Sequence, residues 1–273
     1  MSKGNKSLGE MSFLDHIEAL RWHLLRSAIA IIVLAITAFF FKEFLFDTVI
    51  LGPKNVNFPT YRVLCYLSDR YHIDACIKNI PFDLINNELS GQFTLHMWVA
   101  FIAGVVVAFP YVFWELWRFV KPALHDRERK YTRGVVFFSS ILFLSGVGFG
   151  YYIITPMSIT FLGSYQVSST VRNLISLDSF ISTVTILTLA SGIVFELPIV
   201  IYFLSKVGIV TPMFMRKHRK HAFIIILVVA AIITPTPDIS GQILVSIPLV
   251  ILYEISIFVS AAVLRNKQKQ SVI

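Results

Sequence analysis

Carboxylates inside apolar runs are the residues of this sequence that could most clearly do chemistry. Glu196 follows sixteen uncharged residues and precedes Pro198 in the same run, and Glu254 interrupts the last apolar run in a similar way. A charged side chain at the centre of a bilayer costs about 3 kcal/mol and usually faces a partner or a water-filled cavity. We therefore interpret Glu196 as a functional acid, with a protonated or hydrogen-bonded structural acid as the alternative. For Glu254 the two interpretations stay evenly balanced.

Two further acids lie among basic residues in polar segments. Glu128 is flanked by Arg127 and Arg129, and Glu18 comes three residues before Arg21. A carboxylate with such close basic neighbours is most often part of an exposed salt bridge, which contributes about 0–1 kcal/mol. Taken alone, each acid is therefore better explained as a surface ion pair than as a ligand site.

A short polar turn separates the last two apolar runs. It contains Thr234, Thr236 and Asp238, and Gln242 follows one helical turn later. Asp238 is placed to cap the helix that begins there. An amide such as that of Gln242, when surrounded by lipid, seeks a hydrogen-bond partner on a neighbouring helix.

The usual signatures of enzymes and metal sites are missing from the sequence. Neither a P-loop nor an HExxH motif occurs, and Gly146 and Gly150 form a GxxxG pattern that is typical of close helix packing. His218 and His221 lie in a basic segment, where headgroup-facing residues are the better interpretation than metal ligands. We predict no catalytic residue, no metal and no cofactor.

The elements that must position these residues are membrane helices. The chain has 273 residues, of which 56% are hydrophobic and 15% are charged, with a mean hydropathy of +0.72. A soluble domain of this size is far less apolar. The net charge of +8 comes from short clusters between apolar runs, which argues against a nucleic-acid-binding face.

Six apolar runs are candidates for spans that cross about 30 Å of hydrocarbon. They cover residues 24–46, 95–119, 134–155, 179–205, 222–234 and 239–264. The sequence therefore predicts one all-α polytopic membrane domain over residues 1–273, with six transmembrane helices. The fifth span is short, and the sixth is a second candidate for a short one. An amphipathic arm, 1–23, precedes the first span, and no cleavable signal peptide is expected.

The distribution of Lys and Arg fixes the expected orientation. Eighteen of the 24 lie in the arm and at Arg26 just after it, in the segments 118–133 and 206–220, and in the tail after the last span. Because basic residues near span ends stay in the cytoplasm, both termini are predicted to be cytoplasmic. The membrane is then the cytoplasmic membrane.

Two segments of this topology raise specific questions. The fifth run, 222–234, would be about 20 Å long as a helix, so that either its flanking residues snorkel or the bilayer thins. The outer loop 47–92 is long enough to need structure of its own, and it contains Cys65 and Cys76. The sequence does not decide between a disulfide that joins the two cysteines and two unpaired buried thiols.

Four short stretches together resemble the TatC family, the polytopic core of the twin-arginine protein translocase. They are FLDHIEALRWHLLRS in the arm, the F-x-x-P-A-L-x-x-x-E-R pattern from Phe119 to Arg129, FELP in the fourth span, and TPTPDISGQ followed by IPLVILYE. The resemblance covers essentially the whole chain. The order and spacing of the four stretches across six predicted spans are typical of the family.

The resemblance implies a receptor for twin-arginine signal peptides in the inner membrane. With TatA-like and TatB-like single-span partners, and within a larger self-associated complex, it would move folded proteins by means of the proton-motive force. Carried over to this chain, the signal-peptide site comprises Glu18, Arg21, Phe119, Pro122, Leu124, Glu128 and Arg129. The polar positions implied for docking partners within the membrane are Glu196 and Gln242, together with Thr234, Thr236, Asp238 and Glu254.

The arm departs from the family pattern at two positions. The family usually reads H-L-x-E-L-R-x-R, whereas this chain has Ala19 at the glutamate position and His23 at the second arginine position. Glu18 lies one residue earlier, about 100° away around a helix. Whether it replaces the missing carboxylate stays open at the level of the sequence.

Two other classes of function fit the sequence less well. A small-molecule transporter often has repeated halves with paired broken helices around a midplane site, and no such repeat is evident. An intramembrane protease would need a serine motif or a pair of aspartates within the spans, and neither is present.

Overall fold

The structure is a computed structural model that describes residues 13–72, 76–77, 80, 82–120, 132–168, 173–234 and 239–271. Its contacts divide the chain into two units, 1–40 with 100–140 and 41–99 with 141–273. Ten α-helices and two short strands make up most of the described chain, and each unit is described by itself below.

The helices follow one another along the chain with few long connections. They are α1 (Phe13–Phe40), α2 (Pro59–Tyr71), α3 (Gly91–Val120), α4 (Thr132–Phe149), α5 (Thr155–Ser164), α6 (Leu177–Phe195), α7 (Leu197–Val207), α8 (Pro212–Lys217), α9 (Arg219–Ile233) and α10 (Ile239–Ser271). Two π-helical segments, Phe44–Ile50 and Gly150–Ile154, and a 3₁₀ turn, Gly52–Lys54, complete the helical structure. The predicted all-α polytopic class is confirmed.

Five helical stretches in the described residues are long and apolar enough to cross a membrane. They are Ile17–Phe40, Gly91–Val120, Gly134–Ser164, Leu177–Val207 and Gly241–Arg265. The remaining predicted span coincides with α9, which has 15 residues and is about 22 Å long. Its shortness agrees with the expectation for the fifth span, whereas the sixth, Gly241–Arg265, has 25 residues and is not short.

Several boundaries differ from the sequence prediction for physical reasons. The described part of the arm, from Phe13 onward, and the first span are one continuous helix, which ends at Phe40 and not at residue 46. The third span runs through the π-helical segment Gly150–Ile154 and Pro156 to Ser164, so the outer loop predicted at 156–178 is shorter. Pro156 lies in the first turn of α5, where its missing N–H is tolerated.

The first unit contains α1 and the second part of α3. A Cβ added at Gly104 would lie 2.7 Å from the backbone nitrogen of Ala35, so the two helix backbones are in direct contact there. His23 meets Glu115 further along the same pair of helices. Because residue numbers rise on α1 as they fall on α3, the two helices run antiparallel.

The second unit contains a close crossing of α4 with α6. A Cβ added at Gly146 would lie 2.7 Å from the Phe195 side chain, and one at Gly150 would lie 2.8 Å from the Ser191 side chain. The GxxxG pattern therefore does mediate close helix packing, as predicted. Around it lies a buried apolar cluster formed by Ile154, Leu187, Ile226, Ala230, Val245, Leu249 and Leu252.

The long loop predicted at 47–92 has structure of its own. Tyr61 on α2 is fully buried, its hydroxyl donates to the Pro53 carbonyl at 2.8 Å, and burial raises the pKa of this hydroxyl. Cys65 and Cys76 are joined by a disulfide. Asp83–Ile85 pairs in parallel with Leu174–Ser176, a two-stranded ladder that the sequence did not predict.

Candidate functional site

The structure describes only part of the signal-peptide site expected from the sequence. Pro122, Leu124, Glu128 and Arg129 lie outside the described residues, as do Thr236 and Asp238 of the polar turn. The remaining members, Glu18, Arg21 and Phe119, all belong to the first unit.

The arm of α1 lies against the end of α3. The His23 ring and the Phe119 ring meet edge to face, with their centroids 6.1 Å apart. Glu18 and Arg21 lie five and two residues before His23 and have exposed side chains. Phe119 is the penultimate residue of α3, and the segment that carries Glu128 begins directly after that helix. The arm is thus brought to the point where that segment starts.

A buried carboxylate that the sequence analysis missed lies at this junction. The Glu115 side chain is 1% exposed, and its Oε2 atom is 2.5 Å from Nδ1 of His23. Its Oε1 atom accepts from the Tyr111 hydroxyl at 3.2 Å and faces Nη1 of Arg118 at 3.4 Å. One acid therefore connects α1 to α3 and gathers three donors around it.

Arg118 is held on its other side by an aromatic ring. Its guanidinium carbon lies 4.8 Å from the centre of the Trp114 ring, within the range of a cation–π contact. Trp117, which precedes it in sequence, is only 2% exposed. Trp117 therefore packs inside the unit.

Glu196 lies at a break in the fourth span. It separates α6 from α7, and its N–H bonds to the Ile193 carbonyl at 3.1 Å in a tightened turn. Pro198 causes the break because it has no N–H to donate to the preceding turn. The side chain of Glu196 is half-buried at this point in the second unit.

The remaining polar groups of the predicted docking set bond to helices of the second unit. Nε2 of Gln242 donates to the Leu227 carbonyl on α9 at 3.0 Å, so the amide finds the partner helix that it requires. The Thr234 hydroxyl donates to the Ala230 carbonyl in its own helix at 2.9 Å. Gln242 therefore ties α10 to α9, and Thr234 satisfies a carbonyl in the last turn of α9.

Glu254 has a counter-ion on the neighbouring helix. Nη2 of Arg219, at the start of α9, lies 2.7 Å from Oε2 of Glu254 on α10. The side chains are 52% and 39% exposed, so the pair is open to its surroundings. This contact favours the structural interpretation of Glu254 over a free functional acid.

The described residues contain no cluster of three or more His, Cys, Asp or Glu side chains that could hold a metal ion. The rings of His218 and His221 have their centroids 5.7 Å apart, and Nδ1 of His218 lies 2.9 Å from the Phe214 carbonyl. These two histidines therefore have local partners in the segment before α9.

The apolar helices and the acids held between them define a multi-pass membrane protein. Residues 15–248 match the family model described as Sec-independent protein translocase protein (TatC). The chain is 42% identical over 261 residues to the Sec-independent protein translocase protein TatC of Blattabacterium sp. subsp. Periplaneta americana (strain BPLAN), which covers 94% of this chain and 98% of that protein. It is 35% identical over 264 residues to TatCy of Bacillus subtilis (strain 168), covering 97% and 94% of the two chains.

Solved structures agree with the sequence relatives. The crystal structure of the twin arginine translocase receptor TatC in DDM superposes with a TM-score of 0.68 at 32% identity, covering 89% of this chain and 98% of that one. The chain therefore belongs to the TatC family. It is a subunit of the twin-arginine translocase, acts in a complex with other Tat components, and is a transporter subunit and not a catalytic enzyme.

Proposed function

We propose that this chain is the receptor subunit that binds twin-arginine signal peptides at the cytoplasmic face of the inner membrane. With TatA-like and TatB-like single-span partners, it then passes folded cargo across the membrane at the expense of the proton-motive force. Both termini lie in the cytoplasm under this proposal, in line with the distribution of Lys and Arg. The observation that carries it is the junction in the first unit, where the arm of α1 meets the end of α3.

The arginine pair docks between the arm and the segment after α3. Glu128 and Glu18 provide the carboxylates, while Phe119, Pro122 and Leu124 provide apolar contacts for the residues that follow the pair. Arg21 and Arg129 complete the set of residues that the family resemblance assigns to this site. Because the surrounding segments are strongly basic, a basic peptide is repelled everywhere except where acids mark the docking point.

The chemistry of this site favours arginine over lysine. A guanidinium is planar and presents paired N–H groups that match the two oxygens of a carboxylate, whereas an ammonium is a compact and strongly hydrated charge. Desolvation at the headgroup layer increases the difference, since a lysine must give up more hydration to enter. Discrimination between the two is therefore the signature of the proposed receptor.

Peptide capture by the purified full-length chain tests the receptor function. We expect a peptide with two consecutive arginines to bind at least tenfold more tightly than its twin-lysine counterpart, because a lost bidentate contact costs about 1.5–3 kcal/mol. Fluorescence anisotropy of labelled peptides in detergent or nanodiscs measures both affinities. Equal affinities for the two peptides would contradict the proposal.

The single-span partners dock on the second unit within the membrane. Half-buried Glu196 lies at the break between α6 and α7, where the helix of the fourth span is interrupted. Thr234 follows α9 directly and Gln242 lies in the first turn of α10, with Thr236 and Asp238 between them in sequence. Glu254, which is paired with Arg219, lies further along α10. Together these groups give a partner helix polar points of attachment in a setting where apolar contact alone is not selective.

Replacing Glu196 with alanine should reduce recovery of the assembled complex, or transport by it, by about tenfold, since an intramembrane polar contact contributes about 1–2 kcal/mol. Co-purification of tagged single-span partners and export of a twin-arginine reporter are the two measurements. Asp178→Ala is the matched control, because this exposed acid lies at the other end of the same helix, in its first turn. Normal assembly and normal export by the Glu196→Ala variant would remove Glu196 from the docking site.

A further inference from the structure

Trp114 and Glu115 contact the guanidinium of Arg118 on one face of α3, and Tyr111 joins them through Glu115; these three side chains are called the cage below. Tyr111, Trp114 and Glu115 lie seven, four and three residues before Arg118, which places all of them on the same side of the helix. The Trp114 ring centre is 4.8 Å from the guanidinium carbon, and Glu115 Oε1 is 3.4 Å from Nη1. The Tyr111 hydroxyl bonds to the same oxygen at 3.2 Å.

This cage has the chemistry of an arginine-binding site. The Glu115 carboxylate is 1% exposed, so its attraction for a cation is weakly screened. His23 holds its second oxygen at 2.5 Å and fixes the orientation of the carboxyl group. A planar guanidinium can stack its face on an aromatic ring while the N–H groups at its edge bond to a carboxylate. The cage offers both groups side by side.

The cation that occupies the cage is weakly held. Charge-assisted N–H···O contacts are usually about 2.7–2.9 Å long and often paired. Arg118 makes one such contact, at 3.4 Å, and its side chain is 44% exposed. Its stem can therefore swing away at small cost and leave the carboxylate to another guanidinium.

We infer that the Tyr111–Trp114–Glu115 cage takes one arginine of the incoming signal peptide, and that Arg118 is a built-in competitor that leaves when this arginine arrives. The inference rests on the proposed receptor function and adds a third acid to Glu128 and Glu18. It also accounts for the departure in the arm: Ala19 offers no carboxylate, whereas Glu115 presents one beside His23, where α1 meets α3.

The direction in which Arg118→Gln changes the peptide affinity distinguishes a competitor from a purely structural ion pair. Removing a competitor raises the fraction of receptors that are ready to bind, so the apparent affinity rises by the same factor. Arg118→Gln should therefore bind a labelled twin-arginine peptide about threefold or more tightly than the parent chain. It should bind the twin-lysine peptide with little gain, since an ammonium has neither a planar face to lie flat on the Trp114 ring nor a fork to pair with the carboxylate. A purely structural ion pair predicts unchanged or weaker binding of both peptides.

Two further variants complete the experiment in the full-length protein. Arg216→Gln removes the same charge from an exposed position on α8 and should leave both affinities unchanged. Glu115→Gln, made in the Arg118→Gln background, should cancel the gain. The inference is overturned if Arg118→Gln fails to tighten arginine binding, if Arg216→Gln tightens it equally, or if the gain survives Glu115→Gln. Failure of the receptor function itself would be seen separately, as equal binding of the two peptides by the parent chain.

Discussion

Replacing Glu128 with alanine should abolish export of twin-arginine substrates while the chain still inserts into the membrane. Removing one partner of a desolvated carboxylate–guanidinium pair costs about 2–5 kcal/mol. A cost of about 3 kcal/mol lowers the affinity about a hundredfold. Without this carboxylate, the many basic residues of the same segment repel the arginine pair, and no docking point remains at this position. Export of a twin-arginine reporter and peptide affinity both measure the loss.

The matched control for this prediction is Glu88→Ala. Glu88 is an exposed acid in the outer loop, so its removal changes the net charge by the same amount at a site with no proposed role. We expect normal export from this variant. Normal export from Glu128→Ala, with the protein present in the membrane at the usual level, would place the arginine site elsewhere. Labelling of the segment around Glu128 from the outer face would overturn the proposed orientation as well.

Hydropathy was sufficient to predict the five long membrane helices but not all of their ends. An apolar run shows where a helix can cross lipid, whereas the backbone continues the helix for as long as its hydrogen bonds are satisfied. Thus α1 begins within the polar arm, at Phe13, and the third span passes Pro156 to reach Ser164. The small ladder between Asp83–Ile85 and Leu174–Ser176 was beyond prediction because its strands are three residues long and 91 positions apart.

The candidate site was predictable only where its signal was local. The Phe119 to Arg129 pattern can be read from one stretch of sequence, and so can the isolated acid Glu196. Glu115 also stands in an apolar run, but Arg118 three residues later makes it resemble an ordinary helical ion pair. Its importance depends on His23, which is 92 positions away and meets it only in the fold. The histidine at position 23, where the family usually has arginine, could not be interpreted from the sequence because its contact with Glu115 was not known.

Substituting Gly150 with alanine should lower the melting temperature by about 5 °C, because overpacking in a close helix contact costs about 1–3 kcal/mol. The added Cβ would lie 2.8 Å from the Ser191 Cβ, 2.9 Å from the Leu187 carbonyl oxygen and 3.0 Å from the Thr188 Cα. None of these atoms can move away by rotating a side chain, so α6 must shift as a whole. Thermal unfolding of the purified protein in detergent measures the change.

Gly148→Ala provides the internal control for this crossing. Gly148 lies between the two contact glycines, and a Cβ added there meets nothing within 4 Å. The substitution should therefore leave the melting temperature unchanged or raise it slightly, since alanine favours a helix over glycine by about 1 kcal/mol. Gly146→Ala should resemble Gly150→Ala, because its Cβ would lie 2.7 Å from the Phe195 Cβ and 2.8 Å from the Ser191 carbonyl oxygen. Equal melting temperatures for all three variants would mean that α4 and α6 are not in backbone contact, and the GxxxG pattern would then have no role in packing.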